Sequence, residues 1–398
     1  MVVHGQGAEL HDNWVTWAVR IETSPQRQAG LATGRLHAGC FRMPIENPEQ
    51  LRQHIELAIR VELSTIPPYL FAMYSIEDQS SNAALLIRSI VAEEMLHAAL
   101  ATNLLLAVGG SPRYGGRDYM PIYPMDLPHH RPPLRLDLAP CSPETIHDVF
   151  MRIEQPQAHG APPEPDEFES LGQFYHALEI GLEHVDRRFD VFADCQANSQ
   201  MSNPGYYKPV TFDVGESGGL LLVDDLESAV AAIEIIIHQG EGLSDARWAD
   251  PNHKELTHYH KLAQINDGKS PLGTVRPLRL NPRTADYPES IRVASDLFNA
   301  LYRGLYLILD RIFSGGPDQP RAIGLLYLVM GDLMSRTAHF LVEQPLDDGT
   351  TAAPTFEFYE FTGESPLEEI RVLADRAASH ELDLTSVRDA IEGLSLIL

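Results

Sequence analysis

Two runs set the architecture of this chain: NPEQLRQHIELAIRVELSTIPPYLFAMYSI at 47–76 and NAALLIRSIVAEEMLHAALATNLLLAVGGSP at 82–112. In the first, Asn47-Pro48-Glu49 reads as an N-cap, a proline at the first helical position and an acidic first turn. Leu51, Ile55, Ala58, Ile59 and Ile66 then recur at three- and four-residue spacing, the period of one helix face. Pro67-Pro68 predicts that this helix kinks or ends there. In the second run Ile87, Ile90, Glu94, His97, Ala101, Leu104 and Val108 step by three and four, and Gly109-Gly110-Ser111-Pro112 stops the helix.

Both apolar stripes are interrupted by charge. Glu62 lies seven residues after Ile55 and four before Ile66, on the buried face. A carboxylate there needs an ion pair, an N–H partner or a metal, because an unpaired buried charge is costly. Glu94 and His97 form a Glu-x-x-His pair in mid-stripe, which points a carboxylate oxygen and an imidazole nitrogen to one place. Dimetal carboxylate bundles use this arrangement together with single glutamates from facing helices, and divalent metals of intermediate hardness accept such mixed ligands. A second Glu-x-x-His stands at Glu255–His258, with Leu262 and Ile265 continuing its stripe.

The remaining glutamate is expected on the third or fourth helix. Glu179 lies four after Tyr175 and three before Leu182; Glu241 follows Ile237 by four, between Gly240 and Gly242. Spacing leaves open which of Glu179, Glu241 and Glu255 ligate, while Glu183, Asp186 and Glu234 read as solvated. Tyr69 and Tyr175 read as core packing, or as tyrosines beside an oxidising centre. His129-His130, in a proline-rich loop, read as solvated.

Elsewhere, residues 1–46 carry few helix signals beyond a weak alternation at Trp14–Ile21. Helices are expected at about 169–195, 224–241, over KELTHYHKLAQI, and at 289–313 and 320–343, with two short ones in 366–396. The long stretches 110–168 and 196–223 lack such signals and read as irregular, candidate covers for a substrate. The expected fold is all-α: a four-helix bundle with a long crossover between its second and third helices and additional C-terminal helices. Residues 1–46 form an extension, 47–345 the dimetal domain and 346–398 a tail.

Thirty Lys+Arg against 56 Asp+Glu give a net charge of -26, the wrong sign for a nucleic-acid groove or an anionic membrane. Cys40, Cys141 and Cys195 are too few and too scattered for a disulfide framework or a thiolate zinc site. No secretory leader or membrane span is expected, so the chain reads as cytoplasmic. No phosphate-binding glycine loop or nucleophile elbow occurs.

ELAIRVELSTIPPYLFAMYSI and IVAEEMLHAALATNLLLAVGGSP resemble the ferritin-like domain family named after iminophenyl-pyruvate dimer synthase, which accompanies violacein- and rebeccamycin-type biosynthesis. The likeness continues through LGQFYHALEIGLEHV, IIIHQGEG, ELTHYHKLAQI and FNALYRGLYLILDRIF, over roughly residues 45–345. It implies Glu62, Glu94, His97, Glu179, Glu241 and His258 as metal ligands, with Glu255 a ligand or an outer partner of His258. His238 stands where the family usually has glutamate, and the dimer synthases are longer chains, so their reaction does not follow from the likeness.

The expected cofactor is two divalent metal ions, iron foremost. The expected function is O2-dependent oxidation of a small aromatic or apolar metabolite. The partners are then a small-molecule substrate and O2, with no nucleic acid or membrane, and there is room for a homo-oligomer. The alternatives are metal storage or detoxification, and a metal-free helical scaffold.

Overall fold

The computed structural model describes residues 45–158, 160–203, 205–207, 218–240, 256–363, 365–379 and 385–392. The expectations at Trp14–Ile21, Glu241 and Glu255 lie outside these residues.

Helix α1 (Pro48–Ser75) begins as its sequence demands: the Asn47 side chain accepts from the Gln50 N–H at 3.0 Å, and Pro48 fills the first helical position. The helix does not end at Pro67-Pro68 but continues to Ser75. A proline leaves the carbonyl four residues earlier without its helical donor. For Pro68 that carbonyl belongs to Ser64, and the Tyr123 hydroxyl donates to it at 2.7 Å. A side chain from the crossover therefore replaces the missing bond, which the local sequence could not reveal.

Helix α2 (Asn82–Ala107) is capped by Ser81, whose side chain accepts from the Ala84 N–H at 3.3 Å. Its length and apolar content would also suit a membrane span, but 89% of that window is buried inside the protein. α1 packs along α2 and against α4 (Leu171–Phe189); α2 also packs on α5 (Leu226–Gly240), and α5 on α4. These contacts close a ring of four helices. A capping box at Ser170 and Gln173 starts α4.

The crossover between α2 and α4 contains a small antiparallel pair, β1 (Met125–Asp126) with β2 (Arg135–Leu136). It also contains helical structure where the sequence reads as irregular: a π-helical run Thr145–Phe150 leads into α3 (Met151–Ile153). Helix α6 (His258–Asn266) packs on α2, α3 and α5. The C-terminal layer is α7 (Glu289–Phe313), α8 (Gln319–Tyr327), a π-helical run Leu328–Met334, α9 (Ser335–Val342), α10 (Pro366–Ser379) and α11 (Thr385–Glu392). α9 packs back on α1, which joins this layer to the bundle.

Candidate metal centre

The stripes of α1 and α2 place Glu62, Glu94 and His97 together in the core, each at most 3% exposed. The His97 Nδ1 lies 3.4 Å from Glu62 Oε2. A second group, Glu94, Glu154 and His258, adjoins the first, and Glu94 belongs to both. The His258 Nδ1 stands 3.0 Å from Glu94 Oε1 and 3.4 Å from Glu154 Oε2. The two imidazoles are stacked, with ring centres 5.3 Å apart.

The histidines are held alike. His97 Nε2–H donates to Gln239 Oε1 at 2.8 Å, and His258 Nε2–H donates to Glu93 Oε2 at 2.9 Å. Each ring therefore spends Nε2 on an outer partner and turns Nδ1 toward the carboxylates. Such outer bonds fix ring orientation and tautomer in metal sites. The His258 Nδ1 is buried and makes no hydrogen bond. It faces two carboxylate oxygens without a well-formed hydrogen bond, an arrangement in which a divalent cation among these donors could be held.

The other carboxylate oxygens are engaged by hydroxyls. Thr65 donates to Glu94 Oε2 at 2.8 Å, Tyr69 to Glu154 Oε1 at 2.5 Å, and Tyr175 to Glu62. Tyr69 and Tyr175 thus stand against the site, as their helical positions allow. Burial, reinforced by Glu154 and Glu94, raises the Tyr69 phenol well above its ordinary range, so it remains a donor.

Among the described residues, four buried carboxylates, Glu62, Glu93, Glu94 and Glu154, face one buried permanent cation, Lys261, which pairs with Glu93. Burial together with the charges of Glu62 and Glu154 pushes Glu94 well above the usual carboxylate range. Burial opposes ionisation of Glu62 as well, but His97 beside it outweighs burial and lowers it. Burial alone would lower His258; Glu154, Glu93 and Glu94 outweigh that and hold it well above its ordinary value. Without metal the cluster balances its charge by retaining protons. The mixed carboxylate and imidazole donors of each group could hold a divalent metal ion.

The third carboxylate of the cluster is Glu154, from the end of α3, rather than a glutamate of α4. Glu179 of α4 is only half-buried, and burial with the neighbouring charges of Glu234 and Glu183 raises its carboxyl. It belongs to neither donor group. Glu234 is exposed, as expected. The crossover brings Glu154 to the cluster instead: Phe150 packs edge-on against Tyr69 with ring centres 4.6 Å apart, and Tyr69 donates to Glu154. Glu241 and Glu255 lie outside the described residues. His130, expected to be solvated, is buried, with Nδ1 donating to the Pro132 carbonyl at 2.7 Å.

Some of what spacing missed left a signal. Ile146, Phe150, Ile153 and Glu154 form an apolar stripe ending in a carboxylate, hidden among prolines. Glu93 follows Ile90 by three and precedes Leu100 by seven, and Lys261 follows His258 by three. Gln239 gave none.

The sequence profile of the family described as Ferritin-like matches residues 55–267. The chain belongs to the ferritin-like family. A ferritin-like protein from Caulobacter vibrioides, known from its crystal structure, superposes with a TM-score of 0.53 at 26% identity, covering 73% of this chain and 96% of that one. Among curated proteins, this ferritin-like chain is 27% identical over 306 residues to the 2-imino-3-(indol-3-yl)propanoate dimerase of Chromobacterium violaceum, covering 67% of this chain and 28% of that protein. It is 23% identical over 379 residues to the dichlorochromopyrrolate synthase of Lentzea aerocolonigenes, covering 80% of this chain and 36% of that protein. The chain thus spans about a third of the length of these relatives.

Proposed function

We propose that the chain is a dimetal enzyme, iron-loaded in its working form, that oxidises a small aromatic or apolar metabolite with O2 in specialised biosynthesis. The observation carrying this reading is Glu94, shared between two buried donor groups whose histidines both present Nδ1. Glu62, Glu94 and His97 would hold one ion, and Glu94, Glu154 and His258 the other. A redox-active pair bound there supplies electrons to O2.

The protein's own part is to position and insulate. Thr65, Tyr69 and Tyr175 hold the carboxylates from outside, while Gln239 and Glu93 hold the imidazoles. Burial of every donor keeps bulk water from the centre. The names of the two curated relatives support a biosynthetic setting, and the dimerase's named substrate carries an indole ring.

The test is O2 uptake by protein loaded anaerobically with Fe(II). Uptake in proportion to bound iron, absent in Glu94→Ala, is the expected result. Iron that stays ferrous in air, or iron accumulating far beyond a pair per chain, would sink the proposal, the latter in favour of storage.

A further inference from the structure

We infer that a second site, separate from the carboxylate centre, binds a planar aromatic molecule carrying no positive charge. A cavity of about 450 Å³ lies between the α1–α2 pair and the C-terminal layer, within the roughly 300–1,000 Å³ typical of small-molecule pockets. On α1 the metal-facing stripe is Glu62, Thr65 and Tyr69, whereas the cavity takes Leu63, Ile66 and Leu70. At about 100° per residue these stripes lie roughly 100° apart. The cavity therefore shares α1 and α2 with the carboxylate cluster but no side chain.

Its walls gather aromatic rings from distant parts of the chain: Tyr114 from the crossover, Tyr206 from the segment before α5, Tyr302 and Tyr306 from α7, and Tyr327 from α8. Their hydroxyls are engaged by the protein. Tyr114 bonds Thr102 at 2.7 Å, Tyr302 and Tyr306 bond each other at 3.1 Å, Tyr206 donates to the Met95 carbonyl at 3.4 Å, and Tyr327 donates to the Tyr206 carbonyl. A ligand therefore meets mainly ring surface and, from Met95, Met330 and Met334, polarisable sulfur, which adapts to flat aromatic guests.

The charge pattern sets the sign. Among the described residues no Asp or Glu lines the cavity, and its one guanidinium there, Arg88, hydrogen-bonds Gln79, at 3.3 and 3.5 Å, rather than a carboxylate. A cation would find no counter-charge and would meet Arg88. The π-helical run Leu328–Met334 supplies Met330, Gly331 and Met334 to one wall, and such runs recur at functional sites. Gly331 is an exposed part of this wall, and a Cβ there would meet no atom within 4 Å, so a larger side chain can be accommodated.

This inference stands whether or not metal binds, and its test separates the two. The full chain is titrated calorimetrically with 2-naphthol and with protonated 2-naphthylmethylamine. Gly331→Phe and Ala92→Phe fill the cavity from opposite walls, with circular dichroism reporting folding and elemental analysis reporting metal. Saturable 2-naphthol binding is expected, weakened at least about tenfold for the cation and in whichever variants fold, at unchanged metal content. No binding to the wild-type chain, equal binding of the cation, or undiminished binding in a folded variant would overturn it. If neither variant folds, competition decides: 2-naphthol must protect Tyr206 and Tyr327 from nitration, and failure to protect them overturns the site.

Discussion

His258 and Glu93 are joined by a 2.9 Å hydrogen bond from imidazole Nε2 to carboxylate Oε2, and Lys261 pairs with that same oxygen. Neither Glu93 nor Lys261 belongs to a donor group, yet both are almost wholly buried. Their pairing holds the ring so that Nδ1 faces Glu94 and Glu154. Removing the cation strands a buried carboxylate, which typically costs roughly 3–5 kcal/mol. Lys261→Met is therefore expected to destabilise the metal-free protein by an amount of that order, measured by urea unfolding. Glu93→Leu/Lys261→Met together should recover much of the loss while metal affinity stays low, by about 10–100-fold.

Acid should expose the same pair. Burial opposes ionisation of Glu93, but Lys261 and His258 outweigh it and lower its carboxyl to about 2 from an ordinary 4.5. The unfolded chain thus binds this proton at higher pH than the folded one. Glu93 then contributes stability that is fully present above about 4.5 and is lost as pH falls toward about 2. Melting of the metal-free protein between these values should flatten in Glu93→Gln; an unchanged slope would count against the pairing.

Metal uptake should release protons. Glu94 and His258 are both raised well above their ordinary values without metal, and ligation requires their unprotonated forms. Affinity is therefore expected to rise with pH through the neutral range. Calorimetry in buffers of different ionisation enthalpy should show net proton release, smaller in His258→Gln.

Glu154 and Glu179 make opposite predictions. Glu154→Gln should reduce bound metal. Glu179→Gln should leave it unchanged and shift stability by no more than about 0.5 kcal/mol, upward because a half-buried like-charge neighbour of Glu234 is neutralised. Elemental analysis and thermal melts of the two variants decide between them.

Tyr123 tests the crossover's structural role. Tyr123→Phe leaves the Ser64 carbonyl without the donor that replaces the bond lost to Pro68, and should lower stability by about 1 kcal/mol, read by denaturant unfolding.

The legible parts of this protein were those written in periodicity. The stripes of α1 and α2 placed Glu62, Glu94 and His97 on buried faces, and Leu262 and Ile265 marked the helix that carries His258. The reading failed where long-range contacts override local signals. Pro67-Pro68 free two carbonyls inside the helix, and a distant hydroxyl, that of Tyr123, serves the one at Ser64. Glu154 follows a short helix in a proline-rich stretch, and only long-range contacts, such as its bond from Tyr69, reveal it as a neighbour of Glu94. Glu179 has the spacing of a buried residue, yet sits at the flank of its stripe, beside Glu234. Glu241 and Glu255 stay as the sequence left them.

The central claim is that the Glu94-centred cluster holds two metal ions, and metal content tests it most directly. Protein produced with added iron is analysed for metals beside Glu94→Ala. A pair of ions per chain in the wild type, lost in the variant, is the predicted result. A wild-type chain without bound transition metal, together with a variant that is more stable for losing a buried charge, would contradict the account and leave a helical scaffold without the chemistry.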